Sequence, residues 1–352
     1  MSSSTSSSDW RRFFRLAAGS AALAVVVIYA FVVLVDPFDT LPLSPPVNRV
    51  PVATNARFAF PSLARSQKFD SAIFGTSTSR LLRPVVLNLE FGARFANLAM
   101  NDATPYEQSR LMAVFQSAHP AARAVLVGLD LRYCEPGDSE QVLTPRPFPA
   151  WMYDGSLWRG YREMFNLYAV QEAGQEFGIL IGIKRQVYGS DGYTSFVPPD
   201  SAYDPARAAM HLRNDPKFVL SGGSGDPATW HFRALERLDA DLSTLSDSTR
   251  KILYFVPYNQ SMMPPPGSPG AAVWRECKQR AAALAQRLPN ARAVDFMRPS
   301  PITSNDDNYW DGMHYRVAIA DRVARDLAAA DRGETSPDYV LLDEKDLASA
   351  RR

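Results

Sequence analysis

The sequence predicts an α/β protein built on a parallel sheet with crossover helices, preceded by one membrane-spanning helix and interrupted by an insertion. Three observations carry this. Twenty uncharged residues, Leu16 to Val35, stand near the start of the chain. Beyond them, short apolar runs closed by glycine or proline alternate with amphipathic stretches in the order strand, helix, strand. That alternation breaks between Tyr133 and about Gly225 and resumes from Pro227.

Residues 2–8 are six Ser and one Thr, with nothing to bury, and Trp10, Arg11, Arg12 and Arg15 follow. A helix over the 20 uncharged residues rises about 30 Å, the hydrocarbon thickness of a bilayer. The run is longer than the apolar region of a cleavable signal peptide, and Asp36-Pro37-Phe38-Asp39 is not a small-residue cleavage site. Its apolarity on every face argues against a core helix. The arginines precede the span and acids follow it, so residues 1–15 are expected in the cytoplasm and everything after residue 35 on the far side of an inner membrane. Residues 36–67, rich in Pro, Asn and Arg, read as a periplasmic tether.

Strands are expected at Asp70–Gly75, Arg94–Leu98, Arg123–Leu131, Lys251–Pro257 and Ala291–Phe296. Between them, helices are expected over Ser79–Leu89, from Thr104 to about Ala118, Ala228–Leu245 and Gly270–Leu288, with a closing helix at Tyr315–Ala330. Thr104-Pro105-Tyr106-Glu107 places a cap, a first-turn proline and a capping-box acid in order. The domain thus covers 68–332, with an insertion at about 133–226 that holds one helix, Leu157–Phe177, and 333–352 is a tail.

The composition narrows the function. Lys plus Arg is 38 and Asp plus Glu is 37, a net charge of +1, which lacks the basic surplus a dedicated nucleic-acid binder needs. At 46% hydrophobic the chain has a core to bury, which excludes global disorder. Proline (27) outnumbers glycine (19), consistent with long, stiff connections. Cys134 and Cys277 are too few for a disulfide framework, and the sequence leaves open whether they pair or remain two core thiols. No His/Cys cluster has metal-ligand spacing, so neither metal nor cofactor is expected.

Two segments attract chemical interest. Gly75-Thr76-Ser77-Thr78-Ser79-Arg80 follows the first strand, where a turn into a helix presents a nucleophile and backbone N–H groups. Trp310-Asp311-Gly312-Met313-His314-Tyr315 lies before the last helix, and a carboxylate three residues before a histidine can orient it as a general base. Together they read as the two ends of a serine-hydrolase triad: Ser77, His314 and Asp311, with Ser79 as the alternative nucleophile.

With these blocks the chain resembles the SGNH (GDSL-like) hydrolase superfamily over about 68–330, the insertion excluded. Gly75-Thr76-Ser77 stands for the family's Gly-Asp-Ser, and Asp311 to His314 for its Asp-x-x-His. The segment Asn97–Thr104 stands for its second block, without the glycine and with Asp102 nearest that position. Gly128-Leu129-Asp130-Leu131 stands for the third, with Asp130 where the family has an oxyanion-hole asparagine. An ionised carboxylate cannot donate there, so the oxyanion would rest on backbone N–H groups of Ser77 and the Asn101/Asp102 turn. The resemblance implies a three-layer sandwich around the parallel sheet. With the anchor, the chain is similar to exported proteins that modify envelope polymers, those of alginate O-acetylation and of D-alanyl transfer to teichoic acid. That implies a serine O-acyltransferase or esterase acting on an envelope polysaccharide, with a membrane-bound acyltransferase as partner. The alternative is a catalytically inactive scaffold of such a complex.

Overall fold

The computed structural model describes residues 7–156, 158–217, 220 and 225–342. Most of the serine-rich tract, Leu157 at the start of the expected insertion helix, part of 218–224 and the last ten residues lie outside the described residues. The chain forms two compact units, one of residues up to 54 with 150–187, the other of 55–149 with the residues from 188 onward.

In the first unit one helix among the described residues, α1 (Ser7–Val35), is long and apolar enough to cross a membrane. It ends where Asp36 takes φ +46°. The buried Asp36 carboxylate then accepts from the N–H groups of Thr40 (3.1 Å) and Leu41 (2.8 Å) and from the Ser44 hydroxyl (2.9 Å). Arg49 Nε donates to the carbonyl of Val35 (2.7 Å), which satisfies one orphan carbonyl and places a cation at the negative end of the helix. The inserted part supplies α6 (Arg159–Glu163) and α7 (Leu167–Leu180), and α7 packs on α1. The one expected insertion helix is therefore two. Asn166 takes extended geometry and caps α7 by accepting from Ala169 N–H (2.9 Å), which interrupts the run.

The second unit holds the sheet. Strands β1 (Ser71–Phe74), β2 (Phe95–Asn97), β3 (Ala124–Leu129), β4 (Arg250–Phe255) and β5 (Ala291–Asp295) are parallel, and β6 (Val340–Leu341) joins β5 antiparallel; the order is β2-β1-β3-β4-β5-β6. β1 and β3 are buried throughout, as expected of strands covered on both faces. β6 corrects the expected tail: Asp338 and Tyr339 are buried, and Arg322 pairs with Asp338 (2.5 Å).

The helices are α2 (Ala56–Arg65), α3 (Ser77–Arg80), α4 (Pro84–Phe91), α5 (Pro105–Ala118), α8 (Pro205–Asn214), α9 (Arg233–Ser243), α10 (Pro269–Arg287) and α11 (Val317–Asp331). α2, α5, α9 and α10 form one contacting series, and α4 and α11 another. The helix expected over Ser79–Leu89 is two, because Pro84 holds Arg83 in extended backbone. The expected capping box at Thr104 is present. The tether dissolves: residues 36–54 belong to the first unit, and α2, N-capped by Asn55, packs on α5 in the second. A run rich in Pro and Asn reads as linker, but here Asn55 starts a helix whose Arg57 forms a buried ion pair with Glu107. The insertion likewise divides, with 188 onward returning to the sheet-bearing unit.

Cys134, in the 3-10 turn after β3, and Cys277, in α10, form a disulfide across 143 residues of sequence. A cross-link closing so long a loop constrains the unfolded chain. Cys134→Ala/Cys277→Ala should lower the unfolding free energy by about 2–5 kcal/mol in urea titrations, and an unchanged midpoint would contradict this.

Candidate active site

β1 lies between β2 and β3, so the chain leaves adjacent strand ends in different directions and opens a crevice at their C-terminal edge. The turn after β1 is shaped by close packing. Gly75 has φ +148°, and a Cβ there would lie 2.2 Å from Ser79 Oγ; a Cβ on Gly128 of β3 would lie 2.0 Å from the same oxygen. Ser79 is fully buried between these two glycines and accepts from the Tyr254 hydroxyl (2.7 Å). This rules out Ser79 as the alternative nucleophile: its hydroxyl is committed to the core. Ser77, two residues earlier and at the first position of α3, is half-buried and faces the other way.

Ser77 Oγ lies 2.7 Å from His314 Nε2, and His314 Nδ1 lies 2.7 Å from Asp311 Oδ2. Asp311 Oδ1 also accepts from the N–H groups of Met313 (2.9 Å) and His314 (2.8 Å). Burial pushes the Asp311 carboxyl up, but the imidazole and these two donors outweigh it and hold the group below its ordinary value. The carboxylate therefore fixes Nδ1 as the protonated nitrogen and leaves Nε2 to accept from the serine. The edge of Phe196 meets the imidazole at 5.0 Å and 90°. The loop is closed by the Trp310 N–H bond to the His314 carbonyl (2.8 Å) and by Gly312 N–H donating to Asp215 (2.6 Å). It is tied to the serine turn, since the Tyr315 hydroxyl donates to the Thr78 carbonyl (2.8 Å). Phe196 and Asp215 come from the segment read as insertion, and nothing in their spacing points to a site.

The second block sits beside the same turn. Met100 N–H donates to the Gly75 carbonyl (3.0 Å), and buried Asn97 donates to the carbonyls of Ser79, Arg80 and Leu82 (3.3, 3.1 and 2.8 Å). Arg57, paired with Glu107, donates to the carbonyls of Asn101 (3.2 Å) and Asp102 (3.4 Å), and Asp102 has φ +53°. The backbone N–H groups of Ser77 and Asn101 donate to no acceptor among the described residues, and Asn101 Oδ1 is buried without a partner there. Asp102 is outward, paired with Arg132 (2.8 Å).

Asp130 is buried at the end of β3 and accepts from Arg132 N–H (2.9 Å) and from the Thr76 hydroxyl. Burial pushes its carboxyl up to about 6, against the N–H and hydroxyl bonds that favour its charge. It therefore supports the turn as an acceptor, where the family pattern has a donor. Among the described residues no group of His, Cys, Asp and Glu could hold a metal ion. Neither a protein-family model nor any curated protein matches this chain.

Two outcomes test this geometry. Gly128→Ala should lower the unfolding free energy by about 1–3 kcal/mol, because the added methyl overlaps Ser79 and Tyr254. A folded-state value for Asp130 near 6, above the ordinary 3.8, means that its protonated form contributes stability fully below about pH 4, lost as the pH rises through 6. Asp130→Asn should therefore gain stability relative to the parent across that window. Parallel stability curves from pH 4 to 7 would refute the assignment.

Proposed function

We propose that this chain is a membrane-anchored serine acyl-transfer enzyme, an O-acyltransferase or esterase, working on an ester of a cell-envelope polysaccharide. The observation that carries the reading is the continuous hydrogen-bonded series from Ser77 through His314 to Asp311. The blocks behind the SGNH resemblance supply further support: each follows its strand at one edge of a parallel sheet in 2-1-3-4-5 order, consistent with a three-layered fold of that kind. The apolar helix and the arginines before it support a single-pass anchor with a cytoplasmic N-terminus. The Cys134–Cys277 bridge supports an oxidising compartment for the domain, as the periplasm is.

In this mechanism Ser77 Oγ attacks the ester carbonyl while His314 Nε2 takes its proton, and Asp311 stabilises the imidazolium. The oxyanion is held by the N–H groups of Ser77 and Asn101. Collapse breaks the bond to the leaving alcohol, which receives the proton from His314, and leaves Ser77 acylated. Water resolves the acyl-enzyme in an esterase, and a sugar hydroxyl does so in a transferase. A membrane-bound acyltransferase as donor partner is part of the same proposal. One observation favours an inactive scaffold instead: Asp130 accepts where the family pattern has a donating side chain.

The two readings part under a serine-reactive fluorophosphonate applied to the detergent-solubilised full chain. The enzyme reading expects stoichiometric labelling that is lost in Ser77→Ala. Asp311→Asn should cut turnover of a p-nitrophenyl ester by on the order of 10⁴-fold. A parent that takes no label sinks the assignment and leaves the scaffold, and labelling that survives Ser77→Ala sinks Ser77 as the nucleophile.

A further inference from the structure

The first unit carries a large exposed apolar surface that the acyl-transfer chemistry does not use. Just before α7, on it and in the turn after it, Phe165, Leu167, Phe177, Leu180, Ile181 and Ile183 are all exposed, Leu167 at 86% and Ile183 at 77%. Six such side chains within nineteen residues exceed the scattered apolar groups of an ordinary surface. Lys184 and Arg185 follow directly, both exposed, with no carboxylate within ion-pair distance among the described residues.

What covers this surface is indicated by its attachment to α1. The Phe165 ring meets Tyr29 at 5.4 Å, and Phe177 meets Phe31 at 5.6 Å, both edge to face. The Tyr29 hydroxyl donates to the Tyr161 carbonyl (2.5 Å). α7 turns Ala169, Ala173 and Gly178, together with Glu172 and Glu176, to the interior of the unit, and its exposed apolar side chains lie on the rest of its surface. Tyr29 and Phe31 lie six and four residues before the end of the apolar stretch, about 9 and 6 Å inside it at 1.5 Å per residue. A helix held at that level, in a chain whose α1 spans a bilayer, sits at the depth where amphipathic helices lie in the boundary between headgroups and acyl chains, about 5–10 Å.

We infer that α7 and the Leu180–Ile183 turn are seated in the outer leaflet of the membrane that α1 crosses, with Lys184 and Arg185 among lipid phosphates. The occupant of the apolar surface is lipid. The unit is then a span plus an interfacial helix, and its disposition is fixed by two elements where α1 alone would leave it free to rotate about the span. This rests on the anchor reading but not on the catalytic one.

The test uses the full chain in vesicles of phosphatidylethanolamine and phosphatidylglycerol. Nitroxide labels go on Ile183→Cys and Leu167→Cys, with Val26→Cys in α1 and Leu89→Cys on α4 as references, both exposed. The two native cysteines are engaged in the disulfide and leave the label specific. Collisions with oxygen, which partitions into lipid, are compared with those of a water-soluble nickel chelate. The oxygen-to-nickel ratio at 183 and 167 is expected several-fold above that at 89 and close to that at 26. A ratio at 183 and 167 equal to that at 89 overturns the inference. Protection from both reagents also overturns it, because a protein surface, a second copy or a polytopic partner, then covers the face. An aqueous signal at 26 itself removes the anchor reading along with the inference, whereas fluorophosphonate labelling stands or falls separately.

Discussion

The contact between the Ser79 side chain and the bare Cα of Gly128 fixes the turn that carries Ser77. A residue two positions from Ser77 is driven into the sheet, where Gly75 and Gly128 leave room for it and Tyr254 satisfies its hydroxyl. With Ser79 inward, helical geometry at α3 turns Ser77 outward, and the Thr78 carbonyl is left to accept from Tyr315. That bond ties the first strand's turn to the loop bearing Asp311 and His314, which is 237 residues away in sequence. Hydrogen-bond geometry between serine and imidazole tolerates errors of only a few tenths of an ångström, and interlocked packing of this kind supplies such tolerance better than a flexible loop.

A second constraint holds the other side of the crevice. The Arg57–Glu107 pair is buried, and such pairs add little net stability, since desolvation offsets their attraction. Its effect is positional. Glu107 closes the capping box of α5 and accepts from Thr144, while Arg57 reaches the carbonyls of Asn101 and Asp102. One ion pair thereby sets the start of a helix, a loop from beyond β3 and the turn whose Asn101 N–H has no acceptor among the described residues. Donors fixed before charge develops need no reorganisation when it does, which is why a buried pair of modest stability value can matter at such a place.

The sheet, all five parallel strands and the capping box at Thr104 were legible because each rests on local signals: a run of buried apolar residues, or a cap three positions before an acid. The serine and Asp-x-x-His blocks were legible because their spacing within each block is local too. What could not be read is what depends on distant contacts. The helix over 56–65 is hidden in a proline-rich stretch, since it is held by packing on α5 and placed by Arg57 meeting Glu107, both distant in sequence. Val340 and Leu341 look like tail until the edge of β5 pairs with them. Phe196 against His314, Asp215 under Gly312 and the Cys134–Cys277 bridge join segments whose separation in sequence carries no periodic signal.

The two carboxylates nearest the serine turn are pushed in opposite directions by their surroundings. Asp311 is held below its ordinary value by a ring nitrogen and two N–H groups, and Asp130 is raised to about 6 by burial that its own donors only partly offset. Separated values of this kind assign separate tasks. An ionised Asp311 holds the neutral imidazole in the tautomer that carries its proton on Nδ1. Asp130 changes character near neutral pH: above about 6 it is an acceptor that braces Thr76, and below it carries a proton and becomes a donor beside the Ser77 turn. The end of β3 thus carries a group whose donor ability is conditional on pH, which makes the surroundings of the Ser77 turn, rather than the Ser77–His314–Asp311 series, the variable part of this site.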